Sequence, residues 1–179
     1  MKLIIAGGRD FDDKVLAVNS FMGLIAEVNY GVNHTVVPPD TITEQNNDTK
    51  SIVVRENPFT EIVISHTKGV ESTPYSRIGD CHVGEFLANF YRIPVKRFIS
   101  DWGTLGIGVD IKSLECVSNV EMVEYAVSDY NDSNRHSLSQ KGLLEKVALL
   151  AFWDKKSKGT EHMIKIAKQK GLIVKIVYY

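Results

Sequence analysis

Leu149-Leu150-Ala151-Phe152-Trp153-Asp154-Lys155-Lys156-Ser157-Lys158-Gly159-Thr160-Glu161-His162 is an apolar run that ends in Asp154, followed by a loop of Lys, Ser and Gly and the start of a helical pattern. A strand that feeds a glycine-containing loop and then a helix presents backbone N–H groups at the helix N-terminus. An anion is favoured there. Lys155, Lys156 and Lys158 add positive charge. A phosphate or a phosphorylated nucleoside suits this chemistry. The competing reading is a solubilising Lys-rich turn in which Gly159 only relieves backbone strain.

The same plan recurs at the other end of the chain, in Met1-Lys2-Leu3-Ile4-Ile5-Ala6-Gly7-Gly8-Arg9-Asp10-Phe11. Leu3 to Ala6 has the unbroken apolar character of a strand buried on both faces. Gly7 and Gly8 end it. Asp12 and Asp13 are good helix starters, and Val15, Val18, Met22 and Ile25 follow at helical spacing. A paired glycine alone is weak evidence for a phosphate loop. Two strand–turn–helix units in one small chain are better evidence.

Between these ends, five segments predict buried strands, at residues 2–6, 61–65, 94–99, 147–153 and 172–178. Each is short and rich in Val, Ile or aromatic residues. Helical patterns cover about residues 12–28, 81–91, 119–126 and 160–170. In the second, Val83, Phe86, Leu87 and Phe90 share a face. In the fourth, Met163, Ile164 and Ala167 face inward and Gly171 is the stop. Strands alternating with helices predict an α/β fold, with a five-stranded parallel sheet covered by helices on both faces. One domain is expected over residues 1–179, with polar inserts at about 29–58 and 128–140. Thr35-Val36-Val37 and Ser51-Ile52-Val53-Val54-Arg55 could form a hairpin in the first insert.

The chain has 179 residues, is 44% apolar and 24% charged, and carries a net charge of -1. This balance gives no global field for nucleic acid or a membrane surface. Cys81 and Cys116 lack metal-ligand spacing, as do His82, His136 and His162, so neither a metal nor a cofactor is expected. The N-terminal apolar run is too short for a signal peptide, and no stretch is long enough to cross a bilayer. A cytoplasmic protein is expected.

Several stretches together resemble the YspA-type branch of the SLOG superfamily. They are Ile5 to Phe11, Ile93-Pro94-Val95-Lys96-Arg97-Phe98 with Asp101-Trp102, Asn119 to Ala126, and Ala151-Phe152-Trp153-Asp154 through Gly159-Thr160 to Ile164. SLOG proteins are Rossmann-like relatives of the lonely-guy phosphoribohydrolases and of DNA-processing protein A. The resemblance implies strand order 3-2-1-4-5 and a cleft at the carboxyl ends of strands one, two and four. It also implies a nucleotide-derived ligand, either ADP-ribose-like or a cyclic nucleotide signal. Sequestration of such a signal, as some viral anti-defence proteins perform, is one specialised version. A homo-oligomer is expected.

On this reading the ligand-binding residues are Gly7, Gly8, Arg9, Ser65, His66, Arg77, Asp101, Trp102, Asn119, Asp154, Ser157, Lys158, Gly159 and Thr160. Arg9 could fork a phosphate or pair at the surface with Asp10 or Asp12. Ser65 and His66 are placed at the carboxyl end of the second strand. Asp101 and Trp102 are placed just after the third, where Trp102 could stack on a base or simply be core. Arg77, Gly79, Asp80, Gly84 and Glu85 look like the displaced remainder of the family's second turn. Ser118 stands where the family tends to have Arg. The hydrolase relatives carry a Glu where this chain has Met163, so binding is favoured over chemistry. An N-glycosidic hydrolase would draw its carboxylate from Glu85, Glu121 or Glu161, with Glu121 first. Single-stranded DNA binding is a further alternative. The near-neutral charge makes it unlikely.

Overall fold

The computed structural model describes residues 1–8, 10–30, 57–68, 80–101, 118–128 and 147–179. Among them, five strands form one all-parallel sheet: β1 (Lys2–Gly7), β2 (Glu61–Lys68), β3 (Val95–Asp101), β4 (Val147–Trp153) and β5 (Ile173–Tyr178). The order is β3-β2-β1-β4-β5, as the resemblance implies. Four helices accompany the strands: α1 (Lys14–Tyr30), α2 (Asp80–Tyr91), α3 (118–128) and α4 (Lys158–Gln169). The architecture is a three-layer, Rossmann-like α/β sandwich. The proposed hairpin and most of both polar inserts lie outside the described residues.

Side-chain alternation along the strands builds the two core layers. Leu3, Ile5, Ile62, Ile64, Leu150 and Phe152 face α1 and α2, where they meet Phe21, Leu24, Val83 and Leu87. Ile4, Ala6, Val63, Leu149 and Ala151 face α3 and α4, where they meet Met122, Val123, Met163, Ile164 and Ala167. Each large aliphatic side chain buried this way contributes about 1.5–3 kcal/mol. Gly84 of α2 sits so close to the sheet that a Cβ would overlap Ile64. It is a packing residue here, which accounts for it without a ligand.

Three expectations are corrected. The inner face of α1 is Ala17, Phe21, Leu24 and Ile25, whereas Val15 is 72% and Met22 45% exposed. The helix is apolar almost all round, so periodicity alone could not choose its buried side. Phe90 is also turned outward, against Phe86 and Tyr91. The outer strands are only half buried, because β3 and β5 are the sheet's edges. Boundaries otherwise shift by one to three residues, and β4 falls at its expected limits.

Helix ends follow their local chemistry. Asp13 caps α1, with Oδ1 accepting from the Leu16 N–H at 2.8 Å and its carbonyl from the Ala17 N–H at 3.0 Å. After α4, the Gly171 and Leu172 N–H groups close on the Lys168 and Ala167 carbonyls. At the amino end of the sheet, the buried Lys2 ammonium lies 3.8 Å from the Tyr125 ring centre and donates to the Tyr125 carbonyl at 3.2 Å. The Tyr125 hydroxyl donates to Glu61 Oε2 at 3.1 Å. A buried ammonium needs such partners, and this set ties α3 to the end of the sheet away from the glycine turns.

Candidate functional site

β1 and β4 pair in register from Lys2↔Val147 to Gly7↔Phe152. Their carboxyl ends therefore lie side by side. The connections leave β1 toward β2 and β4 toward β5, in opposite directions. In open α/β sheets this switch in direction opens a crevice where ligands bind.

After β1, the Gly8 N–H donates to the Phe152 carbonyl at 3.3 Å and the Phe11 N–H to the Gly8 carbonyl at 3.2 Å. The Phe11-to-Gly8 bond marks a turn after β1. The buried Phe11 ring stacks on Phe152 at 4.2 Å and meets Tyr179 at 4.8 Å. The Tyr179 hydroxyl donates to Asp10 Oδ1 at 2.8 Å. A Cβ on Gly8 would overlap that hydroxyl oxygen. Only glycine leaves room for the tyrosine against the backbone.

After β4, the chain satisfies itself locally. Asp154 Oδ1 accepts from the Ser157 N–H at 2.7 Å and the Lys156 N–H at 2.8 Å. Lys155, at the bend, takes a left-handed backbone with φ 64°. The Trp153 indole N–H donates to the Ser157 carbonyl at 3.1 Å. Ser157 caps α4, with Oγ accepting from the Thr160 N–H and lying 3.0 Å from Thr160 Oγ1. The two backbone bonds, from Ser157 first and Lys156 second, hold the carboxyl of the half-buried Asp154 below its ordinary range. Asp154 is thus the loop's own resident anion, and one of its oxygens is used in shaping the loop.

Lys158, Gly159 and Thr160 belong to the first turn of α4, not to a loop before it. The helix thus starts two residues before the position its apolar pattern predicts. Thr160 is buried by its contact with the cap, and Lys158 pairs with Glu161 at 2.8 Å. The cap uses the N–H groups of Thr160 and Glu161. Those of Lys158 and Gly159 occupy the first two positions, which a helix does not satisfy itself. Asn119, buried near the start of α3, donates from Nδ2 to the Gly159 carbonyl at 3.0 Å and lies 3.5 Å from His162 Nδ1. It binds the first turns of α3 and α4 together. Beside it, Ser118 Oγ is buried with no hydrogen-bond partner among the described residues.

The β2 side differs from expectation. β2 continues to Lys68 and pairs with β3 as far as Asp101. Ser65 and His66 therefore lie within a strand rather than at its end, and Asp101 is the last residue of β3 rather than a residue after it. The ladder runs on through the pairs His66↔Ile99, Thr67↔Ser100 and Lys68↔Asp101. Arg9, Arg77 and Trp102 lie outside the described residues.

Of the hydrolase candidates, Glu85 is gripped by Arg97 through two bonds at 2.5 and 2.8 Å. Glu161 is paired with Lys158, and Glu121 is exposed. Met163 points into the core. Among the described residues, no group of three or more His, Cys, Asp or Glu could hold a metal ion. Nor is any helix among them long and apolar enough to cross a membrane.

Tyr179, Phe11 and Phe152 escaped the sequence reading as site residues. Tyr179 and Asp10 are 169 positions apart, and no local spacing announces such a contact. Burial first, then the Asp10 carboxylate, and at longer range Asp154, push the Tyr179 phenol well above its ordinary range. No family model, curated protein or solved structure matches this chain.

Proposed function

We propose that this chain binds a nucleotide-derived small molecule, ADP-ribose-like or a cyclic nucleotide signal, at the carboxyl ends of β1 and β4. The observation that carries this reading is the adjacency of the Gly8 turn and the first turn of α4 on neighbouring parallel strands. A phosphate would meet the Lys158 and Gly159 N–H groups and the positive end of the α4 dipole. Lys155 and Lys156 add charge at the same loop. The reading extends the SLOG resemblance, with sequestration or sensing by a cytoplasmic homo-oligomer as its specialised form. Hydrolysis is disfavoured, because Met163 is core and Glu85 and Glu161 are already paired, which leaves a hydrolase the exposed Glu121.

The test is mass spectrometry of small molecules released by denaturing the purified protein, followed by thermal-shift titration with ADP-ribose, AMP and cyclic AMP. Bound ligand stabilises the folded state by mass action. Gly159→Asp places a carboxylate where the phosphate would sit, while an acidic residue in the first turn suits the helix itself. The variant should fold and lose the ligand-dependent shift. An unchanged shift in the variant, or no released molecule and no shift in the natural chain, defeats the proposal.

A further inference from the structure

Tyr178 and Tyr179 touch different halves of the proposed site. Tyr178 lies over the β4 loop, with its ring 6.0 Å from Trp153 and 4.9 Å from the Lys155 ammonium. Tyr179 lies on the other side, over the β1 turn, against Phe11 and Asp10. Successive residues of an extended chain point to opposite faces, so one dipeptide reaches both halves of the proposed site.

The Tyr179 hydroxyl fills the space against Gly8 that a Cβ would otherwise take. The hydroxyl is there as a donor, because its partner is the Asp10 carboxylate. Any group that replaced it would face Asp10, with Asp154 nearby. A hydroxyl there would be accepted by the Asp10 carboxylate. The α4 end offers the opposite chemistry, backbone N–H groups for a phosphate.

We propose that Tyr179 is an intramolecular latch whose hydroxyl holds the place of a ligand sugar hydroxyl on Asp10. The inference rests on the nucleotide reading above and adds a polarity to it: sugar hydroxyls toward Gly8 and Asp10, phosphate toward Gly159. Binding then exchanges one hydroxyl donor on Asp10 for another. Tyr179→Phe keeps the ring on Phe11 and removes only the competitor.

Calorimetry of AMP and of 2′,3′-dideoxy-AMP on the natural protein and on Tyr179→Phe tests this. AMP should bind the variant about 3- to 10-fold more tightly, the worth of one ordinary hydrogen bond no longer broken on entry. Dideoxy-AMP has no hydroxyl to offer Asp10 and should show no such gain. AMP binding that is equal or weaker in the variant overturns the latch and leaves the nucleotide reading standing. An equal gain for dideoxy-AMP overturns the sugar assignment and the latch with it. No binding of AMP, ADP-ribose or cyclic AMP to either protein rejects the nucleotide reading, and the latch falls too.

Discussion

The turn after β1 and the loop after β4 share one plan of strand, turn and helix, and they sit side by side. They are held in different ways. The β4 loop is tied by residues within a few positions of one another: Asp154 to Lys156 and Ser157, Ser157 to Thr160, and Trp153 to Ser157. Among the described residues the β1 turn has one bond of that kind, Phe11 to Gly8. Its other supports reach across the chain: the Gly8 N–H on the Phe152 carbonyl, the Tyr179 hydroxyl on Asp10, and the stacked rings of Phe11, Phe152 and Tyr179. A loop tied by its own residues can form before the sheet is complete. A turn tied by distant rings takes shape only when the sheet around it is in place.

Phe152→Ala should have the largest effect. Phe152 is fully buried and is the ring that Phe11 stacks on. Its loss should cost about 3–5 kcal/mol in chemical denaturation. Hydrogen exchange should show the Phe11 N–H opening more than the Lys156 and Ser157 N–H groups. Equal opening of all three would break the distinction between the two regions.

Ser157→Ala is the reverse experiment. It removes the cap of α4 and should cost about 1 kcal/mol, with faster exchange confined to the first turn of that helix. Faster exchange at Phe11 as well would show that the β4 loop supports the β1 turn.

Asp154→Asn should have the smallest effect and sharpens the comparison through pH. The Asp154 carboxyl lies below its ordinary 3.8 in the folded protein. The stability it contributes is therefore fully present above the unfolded value and fades as pH falls through the lower folded value. The Asn variant should be less stable near neutrality. The difference should narrow below about pH 4, since the carboxylate that distinguishes the two chains is then being neutralised. A gap of constant size down to pH 2 would mean that the carboxylate's charge is not what organises the loop.

The same contrast explains what could be read from the chain. The five strands and four helices were legible because burial on both faces makes continuous apolar runs and α4 carries a clear stripe at Met163, Ile164 and Ala167. The β4 loop was legible because its determinants, Asp154 and Ser157, are neighbours. The inner face of α1 was not, since nearly every side of that helix is apolar. The extension of β2 past Ser65 was not, because it depends on partners in β3. Tyr179 over Gly8 was least legible of all, as it joins opposite ends of the sequence.

The pairing of Lys2 with Val147 has a consequence for folding. The central strand comes from the first residues of the chain, yet one of its two neighbours is supplied only near the end. β1 can pair early with β2, but its other edge must wait for a contact of very high sequence separation. Loop closure of that length is slow, and contact order sets folding rates. Until β4 arrives, Leu3-Ile4-Ile5-Ala6 presents an open apolar edge, the feature that makes partly folded chains associate. A growing or refolding chain is thus most vulnerable just before β4 joins the sheet.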